Sequence, residues 1–341
     1  MVAESRYVER LLELVLRLQR RIRDEVLAAC ASQSVEALSA VVADDAGDTI
    51  FAVDRISERV LVEQLEREAS QLGGIVLIAE GLPEGARCLP EGWSPSRAAW
   101  RVIVDPIDGT RGIMYQKRSA WVLSAIAPNR GAKTSLRDVV ACAQAELPTL
   151  KQHLCDDWWA VRGQGVHAER YDRLSGRRQP LHLQPTRATD LRYGYAMLTR
   201  FFPGARDVLA SIDDEVMFGA LGDCSEGKGW CFEEQYTSTG GQLYELASGH
   251  DRFNADLRPL LAPILKQRGL PAALCCHPYD ICTELAASEL GVIITDPLGN
   301  PLDAPLDVVS DVAWVGYGNA TLRRRIEPLL HRALRERGLI G

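Results

Sequence analysis

The chain has 341 residues, a formal net charge of −7, and is 46% hydrophobic and 25% charged. Its length predicts two domains or subdomains, and its composition is that of a soluble globular protein. The acidic balance argues against nonspecific binding to nucleic acid or to an anionic membrane, and no apolar run reaches transmembrane length.

Residues 4–30 read as one long amphipathic helix, with Val8, Leu11, Val15, Leu18, Ile22 and Val26 at helical spacing, covering a core. No apolar signal core is present in it. The nine cysteines are odd in number and include no Cys-x-x-Cys pair, which argues against a disulfide framework and for reduced thiols in a cytoplasmic protein. Nothing around Cys275-Cys276 has zinc-ligand spacing.

The segment from Asp48 to Asp54 spans a short strand, and Ile56, Val60, Leu61, Leu65 and Leu72 predict a helix after it. Ile75–Ala79 is an apolar run that ends at the carboxylate of Glu80. Residues 81–99 are rich in Pro, Gly and Arg and read as a surface loop. Val102-Ile103-Val104 reads as a buried strand that stops at Pro106, because proline cannot donate to a ladder. Asp105 and Asp108 stand at its exit, Gly109 permits a close turn, and Thr110 suits the first turn of a helix. Two hard carboxylates beside backbone N–H groups at a helix start suit a divalent cation bridging protein and phosphate. The two acid-terminated strand ends, Ala79-Glu80 and Val104-Asp105, are expected to converge.

Strands are predicted over 121–127, 138–147 and 157–165, and the tandem Trp158-Trp159 reads as packing. Residues 168–190 are polar and poorly periodic, and a subdomain boundary is placed there, giving 1–185 and 186–341. Helices are predicted over 205–216 and 241–248. Gly240-Gly241 suits either substrate contact through backbone amides or an ordinary tight turn. Residues 255–275 are hydrophobic, carry three prolines and read as an inserted segment. Asp280 reads as a helix N-cap with Gly291 as the C-terminal stop, followed by a strand near 292–295, a last strand over 312–316, and a final helix capped by Asn319.

The string Asp105-Pro106-Ile107-Asp108-Gly109-Thr110 after an apolar strand resembles the metal-binding signature of the inositol monophosphatase superfamily, which includes inositol phosphatases, bisphosphate nucleotidases and some fructose bisphosphatases. Three further stretches resemble its other elements. Asp48, Asp54 and Glu58 fall in step with the upstream Asp-x-x-Thr-x-x-Asp-x-x-x-Glu, with Phe51 in place of Thr. Ala79-Glu80-Gly81 stands for Gly-Glu-Glu and keeps the first Glu. Tyr279-Asp280 stands for the C-terminal Trp-Asp pair.

The resemblance spans roughly residues 40 to 320. It implies a layered α/β fold, with paired N-terminal helices, an antiparallel-rich first sheet and a smaller mixed second sheet. It further implies metal ligation by Glu80, Asp105, the Ile107 carbonyl, Asp108 and Asp280, holding two or three Mg²⁺ ions, with lithium sensitivity. Catalysis would fall to Glu80, Thr110 and Asp54, and substrate contact to Asp108, Gly109, Thr110, Arg111, Gly240 and Gly241.

The expected activity is hydrolysis of a small phosphorylated polyol, an inositol monophosphate or sugar phosphate, by metal-activated water. A 3′(2′),5′-bisphosphate nucleotidase is the alternative toward which Arg111-Gly112 and Tyr279–Cys282 lean. A non-catalytic binding or regulatory member is the alternative of another class. The partner is a small phosphorylated metabolite, with neither membrane nor nucleic acid, and a homodimer is among the open oligomeric states.

Overall fold

The computed structural model describes residues 2–39, 41–45, 48–222 and 228–341, and their side chains outside 2–5 and 41–58. In the first half, α1 (Val2–Ser32) and α2 (Val35–Leu38) precede the hairpin β1 (Val41–Asp45) and β2 (Asp48–Phe51), then α3 (Ala52–Ala69). Then come β3 (Ile75–Ala79), β4 (Ala86–Leu89), β5 (Trp100–Asp108), α4 (Thr110–Met114), β6 (Ala120–Pro128), β7 (Ala141–Leu147), β8 (Leu154–Val161), β9 (Val166–Asp172) and β10 (Arg178–Pro180). The second half runs β11 (Gly194–Leu198), α5 (Arg206–Leu221), β12 (Cys231–Phe232), α6 (Thr239–Ala247), β13 (Asp251–Asp256) and α7 (Ala262–Gln267). It ends with α8 (Pro278–Ile281), α9 (Glu284–Glu289), β14 (Ile293–Thr295), β15 (Trp314–Tyr317) and α10 (Ala320–Glu336).

Eight strands form the first sheet in the order β10-β9-β8-β7-β6-β5-β3-β4, antiparallel throughout except where β3 lies parallel to β5. The second sheet, β12-β11-β13-β15-β14, is mixed: β11 runs parallel to both β12 and β13, and the remaining pairs are antiparallel. The chain changes sheets between Pro180 and Gly194.

Strand alternation sorts the core into layers, because successive side chains leave opposite faces of a strand. Leu77, Val102, Val104 and Val122 pack with Leu11, Leu18 and Leu61 of α1 and α3. Val76, Ile78, Ile103 and Leu123 face the other way, onto Leu243, Leu246, Leu285 and Ala286 of α6 and α9, with Trp314 of the second sheet behind them. On the far side Phe253, Ala255 and Tyr317 pack against Leu209, Val216, Ile326 and Leu330 of α5 and α10. The result is a five-layer α-β-α-β-α stack. Both sheets are covered on both faces, which is why β3 and β5 read as continuous apolar runs.

Several elements differ from the sequence-based expectation. The central strand runs through Pro106 to Asp108, because a bulge absorbs the proline (see below). The strand before α3 is shorter than expected, so Asp54 lies inside α3; its side chain, like those of Asp48, Phe51 and Glu58, lies outside those described. The segment read as a loop contains β4, an edge strand whose exposed polar face masks its pairing with β3. Residues 168–190 hold β9 and β10, which complete the first sheet. Residues 255–275 begin inside β13, a central strand of the second sheet.

Among the described residues no helix is long and apolar enough to cross a membrane. The eight described cysteines are all free.

Candidate active site

The site starts with a parity problem on one strand. In regular β structure residues three apart point to opposite faces, so Asp105 and Asp108 could not share one. The register solves it. Asp105 pairs with Leu123 and Asp108 with Trp121, so three steps along β5 match two along β6. This one-residue bulge at Pro106-Ile107 turns both carboxylates to the face that carries Leu123 and Trp121 and sends Ile107 to the α1/α3 side. Proline is tolerated there because the bulge needs no ladder donor from it. The Asp105 carboxylate also accepts the Ile107 N–H at 2.9 Å, fastening the bulge.

The expected convergence of strand ends follows from the parallel pairing of β3 with β5. Ala79 is opposite Val104, which places Glu80 beside Asp105 at neighbouring strand ends. The third carboxylate arrives from the second half of the chain. His277, not Asp280, is the N-cap of α8. Asp280 sits three residues in and accepts the His277 N–H at 2.6 Å, closing a capping box. Proline at the first position of α8 fixes the helix start one turn earlier than the Asp280 N-cap reading.

Carboxylate oxygens of Asp105, Asp108 and Asp280 lie within 4.8 Å of one another. Asp105 and Asp108 are buried. Burial pushes the Asp105 carboxyl well above the usual range, and the neighbouring Asp108, Asp280 and Glu80 push it further. Burial, followed by the charge of Asp280, raises Asp108 to about 8 against the pull of its hydrogen bonds. Three carboxylates this close cannot all be ionised in a low-dielectric site without a compensating cation. The donors are all hard oxygens, which suit Mg²⁺, Mn²⁺ or Ca²⁺ and not a thiolate-seeking metal. The residues therefore fit a divalent cation. Burial keeps the nearby thiols protonated, with Cys275 raised to about 12.

Asp108 is gripped by the start of α6. Ser238 Oγ donates to Asp108 Oδ2 at 2.8 Å, Thr239 N–H to Oδ1 at 3.2 Å and Gly240 N–H to Oδ2 at 2.6 Å. Ser238 is the N-cap of α6 and also accepts the Gly241 N–H at 2.9 Å. Gly240 is needed where it stands. A Cβ there would lie 2.4 Å from Leu123 Cδ2 and 2.9 Å from Asp108 Oδ2. Gly240 and Gly241 are buried, and the backbone here turns toward Asp108; Thr237, Ser238 and Thr239 line the cavity.

Behind them the Gln144 amide donates to the Gly240 carbonyl at 2.8 Å and accepts from the Thr283 hydroxyl at 2.9 Å. That buried bridge ties α6 to the segment that carries Asp280. Sequence reading missed Ser238 and Gln144. Ser238 was detectable as an N-cap three residues before Gly241; Gln144 carried no local signal.

One cavity collects Glu80, Asp105, Ile107, Asp108, Gly109, Thr110, Arg111 and Asp280, enclosing about 950 Å³ including its solvent-open part. Gly109 supplies the turn into α4 with a left-handed φ of 94°. The Thr110 hydroxyl donates to the Ile107 carbonyl at 2.8 Å, which folds the turn back over Asp108.

No protein-family model matches the chain, and no curated protein matches it. Solved structures do. The extragenic suppressor protein SuhB from Bartonella henselae aligns over 94% of this chain and 98% of its own, with a TM-score of 0.62 at 15% identity. An IMPase from Thermotoga maritima aligns over 95% and 98%, with a TM-score of 0.59 at 14% identity. Fructose-1,6-bisphosphatase from Leishmania major aligns over 96% and 93%, with a TM-score of 0.65 at 13% identity. The chain shares the layered α/β fold of these structures, the fold its motifs imply.

Proposed function

We propose that this protein is a divalent-metal-dependent phosphomonoesterase acting on a small phosphorylated polyol, an inositol monophosphate or a sugar phosphate. The observation that carries the reading is the set of three carboxylates within 4.8 Å, sharing a cavity with Glu80 and the 109–111 turn. The fold shared with IMPase and fructose-1,6-bisphosphatase structures supports it.

In this reading Glu80, Asp105, the Ile107 carbonyl, Asp108 and Asp280 hold two or three Mg²⁺ ions. When bound, these supply Lewis-acid charge and a water of lowered pKa. The backbone amides of Gly109, Thr110 and Arg111 hold the phosphate oxygens against the cluster. Thr110 donates its proton to the Ile107 carbonyl, and a hydroxyl engaged in that way can still accept a hydrogen bond from the attacking water. Glu80 takes the water's proton. Once the Ile107 carbonyl is engaged as a ligand, the Thr110 hydroxyl turns its single proton to Asp54, the orienting role the family resemblance implies, and keeps a lone pair for the water. Ser238 and Gly240 keep Asp108 aimed.

The test is phosphate release from myo-inositol 1-phosphate and sugar phosphates in Mg²⁺ and in excess EDTA. Activity abolished by chelation and restored by Mg²⁺ is expected, with inhibition by Li⁺. Undiminished turnover in EDTA removes the reading.

A further inference from the structure

Part of the cavity lining has a different chemistry. Phe201, Phe202, Leu274 and Cys275 line it, and Arg258 stands among them. The two phenylalanines follow β11, and Arg258 follows β13, its parallel neighbour. Their rings meet edge to face, centroids 5.1 Å apart at 79°. Both residues are only half-buried, and both contribute surface to the cavity.

Three of the five N–H groups of Arg258 are taken by protein acceptors. Its Nε donates to Asp256 Oδ1 at 2.8 Å, its Nη2 to Asp256 Oδ2 at 2.5 Å and its Nη1 to the Leu274 carbonyl at 2.6 Å. Its guanidinium face lies over the Phe201 ring at 4.7 Å and over the Phe202 ring at 5.2 Å. Two more arginines fix the same loop. Arg206 donates to the carbonyls of Phe201 and Phe202 at 2.7 and 2.8 Å. Arg200 pairs with Asp213 at 2.7 Å and with Glu233. A surface loop carrying two partly exposed aromatic rings and held by three arginines is preorganised, and preorganisation lowers the cost of ordering on binding.

We propose that Phe201 and Phe202 form a stacking platform for the leaving group, so that the preferred substrate is a phosphate ester of a ring with a flat face. Such a face belongs to an aryl or heteroaryl ring, or to the C–H side of a cyclic polyol; a short acyclic polyol lacks it. The proposal rests on the phosphomonoesterase reading, since the platform lines the same cavity as the 109–111 turn and touches it, with the Arg111 guanidinium 5.9 Å from the centre of the Phe202 ring. Stacking on an aromatic ring tolerates variation in ring substituents, so the platform selects ring shape more than hydroxyl pattern.

The experiment compares wild type with Phe201→Ala, Phe202→Ala and Phe201→Leu on myo-inositol 1-phosphate, 4-nitrophenyl phosphate, adenosine 5′-monophosphate and glycerol 2-phosphate. Melting curves verify folding, and the leucine variant keeps apolar bulk without the ring. We expect the alanine variants to lose about tenfold in kcat/KM on the ring esters, chiefly through KM, with glycerol 2-phosphate changing less than about twofold. The ranking of the three ring esters on wild type then identifies which flat group is native. A uniform change across all four esters, or none, overturns the platform. Should wild type hydrolyse none of them in Mg²⁺ or Mn²⁺, the phosphatase reading fails separately. Calorimetric titration with the same esters then decides the platform. Ring-selective binding lost in the phenylalanine variants supports it, and equal or undetectable binding overturns it.

Discussion

Two pairs of parallel strands end at the same cavity, and they close their electrostatics in opposite ways. At the ends of β3 and β5, Asp105 and Asp108 are buried and held by neutral donors: backbone N–H groups and the Ser238 hydroxyl. At the ends of β11 and β13 the buried carboxylate of Asp256 is met by the guanidinium of Arg258. The first wall is left with negative charge that burial makes costly, and the second is internally neutral. Parallel strand ends are a recurrent place for ligands, because backbone and side chains there converge without closing on each other. What distinguishes a reacting wall from a recognising wall is whether the charge is already matched by protein. The predictions that follow break the first wall in steps, and each should leave the second intact.

The largest effect comes from removing the countercharge. Chelation should abolish turnover. Asp105→Asn and Asp280→Asn should each lower kcat by about 10³ or more, because several kcal/mol of charge stabilisation depend on the ligand set. Asparagine at 280 can still accept the His277 N–H, so α8 should survive. A melting curve separates the two roles of Asp280. Lost stability with normal activity per folded molecule would make it a cap only.

Thr110 comes next. Thr110→Ala removes the hydroxyl that meets Ile107 but keeps the backbone amide of the turn. Turnover should fall by about 10²–10⁴ with little change in product affinity, and Thr110→Ser should recover much of it. Near-normal steady-state kinetics in a folded alanine variant would remove Thr110 from the chemistry.

A smaller effect is expected one step back from the carboxylates. Ser238→Ala deletes the 2.8 Å bond to Asp108 and the cap of α6 together. Metal affinity should weaken by about 10- to 100-fold, measured by activity against Mg²⁺ concentration, with about 1 kcal/mol lost from the fold. Unchanged metal affinity would show that the amides of Thr239 and Gly240 aim Asp108 without the hydroxyl.

The three tiers differ in how visible they are in sequence. Asp105 and Glu80 stand out in the sequence because each closes an apolar run, and Asp108 was named through the motif that follows Asp105. The layering was implied by the motif resemblance, and periodicity supplied only single elements: Leu11, Val15, Leu18 and Ile22 repeat at helical spacing, and Ile75–Ala79 has no polar break. The bulge at Pro106 was not legible, since proline after an apolar run usually ends a strand, and only pairing with β6 shows the extra residue. Asp280 alone reads as a helix N-cap and was expected near the other carboxylates only through the motif resemblance; its local role depended on His277 and Pro278 starting the helix first. Ser238 needed the helix placed two residues earlier than its glycines suggest. Gln144 acts only through contacts 96 and 139 residues away in sequence, to Gly240 and Thr283, and periodicity cannot report those. Phe201 and Phe202 carry no sequence signal of a site, and only the cavity and their three arginines single them out.

The smallest effect is a pH dependence, and it tests the charge contrast directly. Asp108 has its carboxyl raised from 3.8 to about 8 by burial and by Asp280. A raised folded value means that the native state binds the proton more tightly than the unfolded chain does. The stability this group contributes is therefore complete below pH ~4 and is lost as pH rises through ~8. A bound cation replaces the proton and restores what was lost, so the gain in melting temperature on adding Mg²⁺ should be small near pH 5 and grow toward pH 8.5. A shift of a few degrees is expected, about 2 °C for each kcal/mol in a chain of this size. Other buried carboxyls titrate in the same range: Glu146, raised to about 7, and Asp213 and Asp251, each raised to about 6. Those three act equally with and without Mg²⁺, so the difference between the two melting series cancels them. Glu146→Gln should keep the pH-dependent Mg²⁺ gain, and Asp108→Asn should flatten it. A gain that stays constant from pH 5 to 8.5 in wild type would mean that the carboxylates hold no proton for the cation to displace, and the first wall would then differ from the second in composition alone.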